Sequence, residues 1–306
     1  MHYSLLCPHK KLFSKFIQNK CNKLFNAKFS NISQTDFDKI YYKFNIILLR
    51  HQLKLKYKKN CNIKYIISPT TGLNHIDKKY FKDKNIKIIS LKNELGILNK
   101  VNSTAEHTIY LLLKIIRDNF KSNKKNFFEK KYINITEINN KKVGIIGYGR
   151  LGKKVNKILK SFGAKTYIFD NSKKIKKTIT LRKLLKLSDI ITIHIPLNNL
   201  NKNFMDKKKF ELLKNNCIII NTSRGEIIDQ KNLIKYLKLK NFKYGADVLQ
   251  NENNLKKNNS SRRLIEIMKK NKSVYITPHV GGLSKESVET TDKFILNKFL
   301  KSYEKK

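Results

Sequence analysis

Acidic side chains are in short supply: 22 Asp and Glu stand against 67 Lys and Arg, a formal net charge of +45. An excess of this size is the usual electrostatic footprint of a nucleic-acid binder. Its usual companions are missing. The lysines run from end to end, tryptophan is absent, and there is no aromatic-interleaved basic module, zinc-finger spacing or RNA-binding signature. A chain-wide shift towards Lys, Asn and Ile is what an AT-rich coding sequence yields. No specific nucleic-acid partner is therefore expected, although the charge can help to collect anionic small molecules.

Cysteine and proline are equally thin. Cys7, Cys21, Cys61 and Cys217 are scattered without Cys-x-x-Cys spacing, so neither a zinc site nor a disulfide framework is indicated, and no metal is expected. Four free thiols fit a reducing cytoplasm. Only four prolines occur, and neither a low-complexity linker nor a tandem repeat is evident. No apolar run approaches membrane-spanning length, so no membrane partner is expected. No acid precedes Asp36, a trait of transit peptides. Yet Tyr3 to Cys7 reads as a strand, and Leu12, Phe13, Phe16, Ile17, Leu24 and Phe25 mark one helical face, the start of a folded domain. A chain of 306 residues can build two domains of ordinary size.

One stretch carries a recognisable chemistry. Lys142-Val143-Gly144-Ile145-Ile146 reads as a buried parallel strand. Gly147-Tyr148-Gly149-Arg150-Leu151-Gly152 follows it. Val155, Ile158, Leu159 and Phe162 then recur at helical spacing, with Gly163 as a stop. Ala164 to Phe169 reads as the next strand and leads into Asp170. A strand, a glycine turn, a helix and a strand, with an acid about 20 residues on, is the setting of a dinucleotide fingerprint. Gly147 permits the tight turn, Gly149 lets the backbone approach the pyrophosphate, and Gly152 lets helix and strand pack closely. The N–H groups near Arg150 and Leu151 can face the pyrophosphate. Asp170 should accept from a ribose hydroxyl and repel a 2′-phosphate, favouring NAD over NADP; Lys173 and Lys174 lie close enough in sequence to soften that repulsion.

Strand-like runs at Asn45–Leu49, Lys64–Ser68 and Ile86–Ser90 precede this unit, and further runs at Ile190–Ile195, Cys217–Asn221, Tyr244–Val248 and Val274–Thr277 follow it. Alternating strands and helices of this kind indicate doubly wound parallel sheets. Ser103-Thr104-Ala105-Glu106 reads as a capping box opening an apolar helix through Ile116. We expect an α/β chain of two Rossmann-like or flavodoxin-like domains. Residues 99–283 would form the dinucleotide domain, inserted into a discontinuous domain of residues 1–98 and 284–306, the latter containing a helix from Glu286 to Tyr303 with apolar Val288, Phe294, Ile295, Phe299 and Leu300.

Three polar residues lie just beyond predicted strands, where open α/β sheets place their ligands. Arg224 follows Ile218-Ile219-Ile220-Asn221, and its guanidinium can clamp a carboxylate and polarise a neighbouring carbonyl. Glu252 lies five residues beyond Asp247, and His279 follows Thr277-Pro278. A carboxylate beside an imidazole orients the ring and favours its charged form. His194, in His194-Ile195-Pro196-Leu197, reads as a pocket-shaping residue, and His107, on the apolar helix, as a structural one.

Together these motifs resemble the D-isomer-specific 2-hydroxyacid dehydrogenase family, from about Ile66 to the end of the chain. Its pattern is present as Gly147–Gly152, His194–Leu197, Asn221–Gly225, Asp247 with Glu252, and Pro278-His279. The resemblance implies an NAD-dependent oxidoreductase that interconverts a D-2-hydroxy acid and its 2-keto acid. Arg224 would bind the substrate carboxylate and carbonyl, His279 would be the acid/base, and Glu252 would hold and tune it. Thr104, Pro196, Thr222, Ser223, Asp247 and Gly281 would line the cofactor. Main-chain N–H groups at Thr71 and Gly72 would also hold the carboxylate. The formate dehydrogenase branch is similar but has Gln where Glu252 stands; formate oxidation needs no proton shuttle, so this Glu argues for hydroxy-acid chemistry. Phosphoglycerate dehydrogenases often show Arg-Ala-Gly where this chain has Ser68-Pro69-Thr70, and that Arg contacts phosphate. The resemblance further implies a cytoplasmic homodimer. A second reading on the same fold is an NAD(H)-sensing binding protein, as in the family's co-repressor branch.

Overall fold

Short, unalternating runs of Ile, Leu and Val form most of the strands, because a parallel strand covered on both faces has no side that can be polar. The computed structural model describes residues 3–56, 58–77, 81, 85–117, 135–172, 175, 177–270 and 273–304. In chain order the elements begin with β1 (Ser4–Cys7), α1 (Lys15–Leu24), β2 (Asn26–Phe29), α2 (Gln34–Ile40), β3 (Ile46–Leu48), β4 (Tyr65–Ser68), β5 (Lys87–Ser90) and α3 (Leu95–Leu98). They continue with α4 (Ser103–Arg117), β6 (Lys142–Ile146), α5 (Arg150–Ser161), β7 (Lys165–Phe169), α6 (Leu181–Leu187) and β8 (Ile190–Ile193). The last are α7 (Lys207–Leu212), β9 (Ile218–Asn221), α8 (Gln230–Leu239), β10 (Lys243–Ala246), α9 (Asn259–Lys270), β11 (Val274–Ile276) and α10 (Lys285–Tyr303).

Two compact units divide the chain: Met1–Val101 together with Gly282–Lys306, and Asn102–Gly281. The first holds a five-stranded sheet in the order β2-β1-β3-β4-β5, parallel throughout. Successive residues of a strand point to opposite faces, so Leu5, Ile46 and Leu48 enter one core while Leu6 and Ile47 enter the other. On the first face they meet Ile17, Cys21, Ile295 and Phe299 of α1 and α10. On the second they meet Phe37 and Phe81.

Two details depart from the sequence expectation. Strand β2, Asn-Ala-Lys-Phe, sits at the sheet edge and alternates exposed and half-buried, so its run is too polar to read as a strand. Helix α1 begins only at Lys15, because Ser14 caps it by accepting from the Ile17 amide. Lys10–Leu12 forms a separate 3-10 turn. Phe13, Ile17 and Phe25 are buried as expected, whereas Phe16 and Leu24 are 40% and 36% exposed.

A buried ion pair ties this unit together. Arg50, just past β3, donates to Asp292 of α10 at 2.8 Å, with side chains 4% and 0% exposed. The same guanidinium donates to the carbonyls of Leu12 and Pro69, and Asp292 accepts the Ser14 amide. Burial pushes the Asp292 carboxyl up and the Arg50 guanidinium down, each partly opposed by the pairing.

The second unit holds a six-stranded sheet in the order β11-β10-β9-β8-β6-β7, also parallel throughout. Helices α4 and α5 supply Leu111, Ile115, Val155 and Leu159 to one of its cores; Leu184, Phe210, Leu233 and Leu264 stand in the other.

The turns show how a chain with 11 glycines makes left-handed backbone. Asn85, Asn93, Asn140, Asn203, Asn216, Asn241 and Asn251 have positive φ, against two glycines, Gly147 and Gly163. Asparagine tolerates this region because its short amide can bond locally.

Removing one partner of the buried pair strands the other charge. Asp292→Ala is therefore expected to lower stability by about 3–5 kcal/mol, and the double change Arg50→Met/Asp292→Leu by clearly less. Urea unfolding checks this; a loss below about 1 kcal/mol in Asp292→Ala would remove the pair from any major role.

Candidate active site

The glycine turn starts where β6 ends. Gly147 has φ +92°, and a Cβ there would meet the His194 carbonyl carbon and oxygen at 2.8 Å. A Cβ on Gly152 would lie 2.1 Å from the Gly147 oxygen, so α5 packs directly on the turn. Gly149 is different: a Cβ there would meet nothing within 4 Å. Protein packing does not demand glycine at that position, but a ligand backed against the chain would. Gly149 is also the N-cap of α5 and brings no side-chain oxygen to the first-turn amides. The positive end of that helix therefore suits a pyrophosphate.

Asp170 stands beyond β7 and grips the turn. Its Oδ2 accepts from the Tyr148 amide at 2.6 Å and its Oδ1 from Ser172 at 2.8 Å. A carboxylate offers about four lone-pair sites, so each oxygen keeps capacity for a ribose hydroxyl. Lys173 and Lys174 lie outside the described residues.

Past β8, His194 pairs through Nε2 with Thr192 Oγ1 at 2.9 Å, while its Nδ1 is buried without a partner among the described residues. Burial pushes its pKa down to about 3, so this ring stays a neutral imidazole near pH 7. Pro196, two residues on, is exposed.

At the end of β9, Asn221 shapes the Thr222–Gly225 turn: its Oδ1 accepts the Ser223 amide and its Nδ2 donates to the Arg224 carbonyl. Ser223 Oγ donates to the Ile193 carbonyl at 2.7 Å. A Cβ on Gly225 would lie 2.0 Å from the Leu249 carbonyl carbon, so the Arg224 loop rests on the loop that carries Glu252. Arg224 donates to the Ser223 carbonyl at 2.6 Å. Among the described residues it has no carboxylate within ion-pair distance. Burial lowers its pKa while Glu252 and then Glu226 raise it; the guanidinium stays cationic and has donors left for an anionic ligand.

Glu252 follows Asn251, whose φ of +49° turns the chain. Its Oε1 lies 2.5 Å from His279 Nδ1, with side chains 29% and 18% exposed. His279 has φ +56°, a region that residues with a Cβ rarely occupy. Asp247 holds the backbone just beyond it: Oδ1 accepts the Val280 amide at 2.9 Å and Oδ2 the Gly281 amide at 2.8 Å. Burial works against charge on Asp247, but hydrogen bonds from His107, Thr277, Gly281 and Val280 outweigh it and hold the carboxyl below the usual range.

One edge of α4 reaches these same segments. Ser103 Oγ donates to the Gly281 carbonyl at 2.7 Å, His107 Nε2 lies 2.8 Å from Thr277 Oγ1, and Thr108 Oγ1 lies 2.9 Å from Thr222 Oγ1. Thr104, on the same edge, accepts from Thr108 through its carbonyl. Ser103, His107 and Thr108 were outside the sequence-derived site; their only local signal is a polar edge at positions i, i+4 and i+5 of an apolar helix. Thr71 and Gly72 lie in the first unit, in the loop after β4, where Thr70 Oγ1 donates to the Gly72 carbonyl. Among the described residues no group of three His, Cys, Asp or Glu is placed to hold a metal.

Comparison with known proteins identifies the class. Residues 107–281 match the family model of the D-isomer specific 2-hydroxyacid dehydrogenase NAD-binding domain. An aromatic 2-oxoacid reductase of Clostridium sporogenes is 32% identical over 250 residues, 75% of this chain and 72% of that protein. An erythronate-4-phosphate dehydrogenase of Wigglesworthia glossinidia brevipalpis is 35% identical over 204 residues, covering 63% of this chain and 48% of the relative. A crystal structure of D-lactate dehydrogenase from Aquifex aeolicus with NAD and lactic acid superposes with a TM-score of 0.82 at 25% identity, over 99% of this chain and 95% of that one. The chain belongs to the D-isomer-specific 2-hydroxyacid dehydrogenase family, a class of NAD-dependent oxidoreductases. These relatives are named as dehydrogenases and reductases, which does not favour the sensing-protein alternative.

Because Asp170 holds the Tyr148 amide and is the expected ribose ligand, Asp170→Ala is expected to weaken NADH binding by about tenfold and to narrow the preference for NADH over NADPH. Fluorescence titration with both cofactors measures this; an unaltered ratio would mean that another group reads the ribose.

Proposed function

We propose that Arg224, Glu252 and His279 carry out the interconversion of a D-2-hydroxy acid and its 2-keto acid. One observation carries this reading: a half-buried, cationic Arg224 with donors to spare lies in a loop resting on the one that pairs Glu252 with His279. The cofactor's nicotinamide, when bound, would supply or take up a hydride at the 2-carbon. Gly147, Gly149, Arg150, Leu151, Gly152 and Asp170 hold the adenosine and pyrophosphate, and Thr104, Pro196, Thr222, Ser223, Asp247 and Gly281 line the rest of the cofactor site. Arg224 grips the substrate carboxylate and stabilises charge on the reacting oxygen.

Proton transfer falls to His279. With Nδ1 committed to Glu252, exchange with the substrate oxygen runs through Nε2. Glu252 orients the ring and stabilises the imidazolium. The relatives' names differ in substrate, and the lack of an arginine at Ser68-Pro69-Thr70 favours an unphosphorylated acid. We further propose a homodimer working in the cytoplasm. Cys7, Cys21, Cys61 and Cys217 are all free thiols, and no helix among the described residues is long and apolar enough to cross a membrane.

NADH oxidation across a panel of 2-keto acids tests the proposal: glyoxylate, hydroxypyruvate, pyruvate, bulkier analogues and 3-phosphohydroxypyruvate. Turnover on at least one unphosphorylated member is expected, falling by about 10²- to 10³-fold in Arg224→Ala. His279→Ala should bind NADH almost unchanged and lose turnover by orders of magnitude. Tight NADH binding without turnover on any member would overturn the enzyme reading, and full turnover in His279→Ala would remove that residue from the mechanism.

A further inference from the structure

The groups around His279 are fixed from one side by a residue with no assigned role. Thr277 Oγ1 lies 2.6 Å from Asp247 Oδ1 and 2.8 Å from His107 Nε2. A hydroxyl has one proton to give, and a carboxylate can only accept. Thr277 therefore donates to Asp247 and accepts from His107, which makes Nε2 the protonated nitrogen of His107. That nitrogen is also 3.3 Å from Asp247 Oδ1. The carboxylate so engaged is the one that accepts the amides of Val280 and Gly281, directly after His279. A Cβ on Gly281 would lie 2.8 Å from Asp247 Oδ2 and 3.1 Å from the His107 ring, so ring, carboxylate and backbone are in close contact.

From this geometry we infer that His107 is a positioning residue for His279. Its N–H fixes the Thr277 hydroxyl and shares the Asp247 charge, so that Asp247 can hold the left-handed backbone that aims the His279 ring at Glu252. The inference rests on the acid/base assignment of His279 made above. Helix α4 does not depend on His107 for its seat: Ala105, Leu111, Leu112 and Ile116 are buried beneath it. Its Tyr110 hydroxyl also lies 2.8 Å from that of Tyr275. His107→Ala should therefore fold.

The test compares His107→Ala with His107→Gln, whose amide nitrogen can donate from nearly the place of Nε2. The Ala variant is expected to lose about 10- to 100-fold in kcat, with KM and the NADH Kd within about threefold of the parent and the thermal midpoint close to it. The Gln variant should recover kcat to within about threefold. Amide hydrogen exchange at Val280 and Gly281, which needs no turnover, should be faster in Ala and restored in Gln. Parental kcat in the Ala variant, a folded Gln variant as slow as Ala, or exchange unchanged in Ala would each overturn the role of His107. If the parent protein turns over no 2-keto acid, the acid/base assignment falls, while exchange at Val280 and Gly281 still decides whether His107 holds this segment.

Discussion

His279 sits at φ +56°, where an ordinary side chain crowds its own backbone, and holding it there costs on the order of 1–3 kcal/mol. Elsewhere in this chain the left-handed region is filled mainly by asparagine, which tolerates it. Histidine enters that region more readily than most residues but still uncommonly, and here the surrounding structure holds it there. The imposition is visible on both sides of the residue. Thr277 is fixed to Asp247 and His107, and the Val280 and Gly281 amides are accepted by the two oxygens of that same carboxylate. The ring can then lie against Glu252 without the pair having to order a flexible loop first.

Such a loop can be held because the sheet brings its anchors together. With all strands parallel, every connection from a strand end leaves at the same edge, and ligand groups collect there. Gly147 follows β6, Asp170 follows β7, His194 follows β8, Arg224 follows β9, Asp247 follows β10 and His279 follows β11. Order in the sheet, not order in the chain, makes neighbours of them: β9, β10 and β11 are adjacent, and their loops carry Arg224, Glu252 and His279. Helix α4 packs on β9, β10 and β11, and its polar edge meets residues following each of these strands.

This distribution explains what was legible in the sequence. Strands such as Ile-Ile-Thr-Ile of β8 and Ile-Ile-Ile-Asn of β9 declare themselves because burial on both faces leaves an apolar run. Edge strand β2, Asn-Ala-Lys-Phe, has no such requirement and left no readable pattern. The start of α1 turned on one hydroxyl, that of Ser14, which apolar periodicity does not weigh. Among site residues, those in local motifs, the glycines with Asp170 or Arg224 after Asn221, could be read because the spacing itself carries the chemistry. His107 could not. Its partner Thr277 is 170 residues away, and on α4 an imidazole among apolar residues looks like any core histidine.

The scarcity of acids acquires a structural meaning from the same residues. A surface of solvated lysines is tolerated because water screens each charge from the next, so the excess falls where it costs least. Several of the 22 acids instead stand where a backbone amide or a specific cation needs them. Asp170 holds the glycine turn, Asp247 the His279 loop, Glu252 the imidazole, and Asp292 the buried Arg50. In these places the carboxylate supplies acceptor geometry that no lysine or asparagine can reproduce with two equivalent oxygens. A drift in composition towards lysine can therefore run over most of the surface and still stop at these positions. Near Arg224 the negative charge that acts on it comes from Glu252 and Glu226, neither within ion-pair distance among the described residues, which leaves that half-buried cation with capacity for an anion arriving from solution.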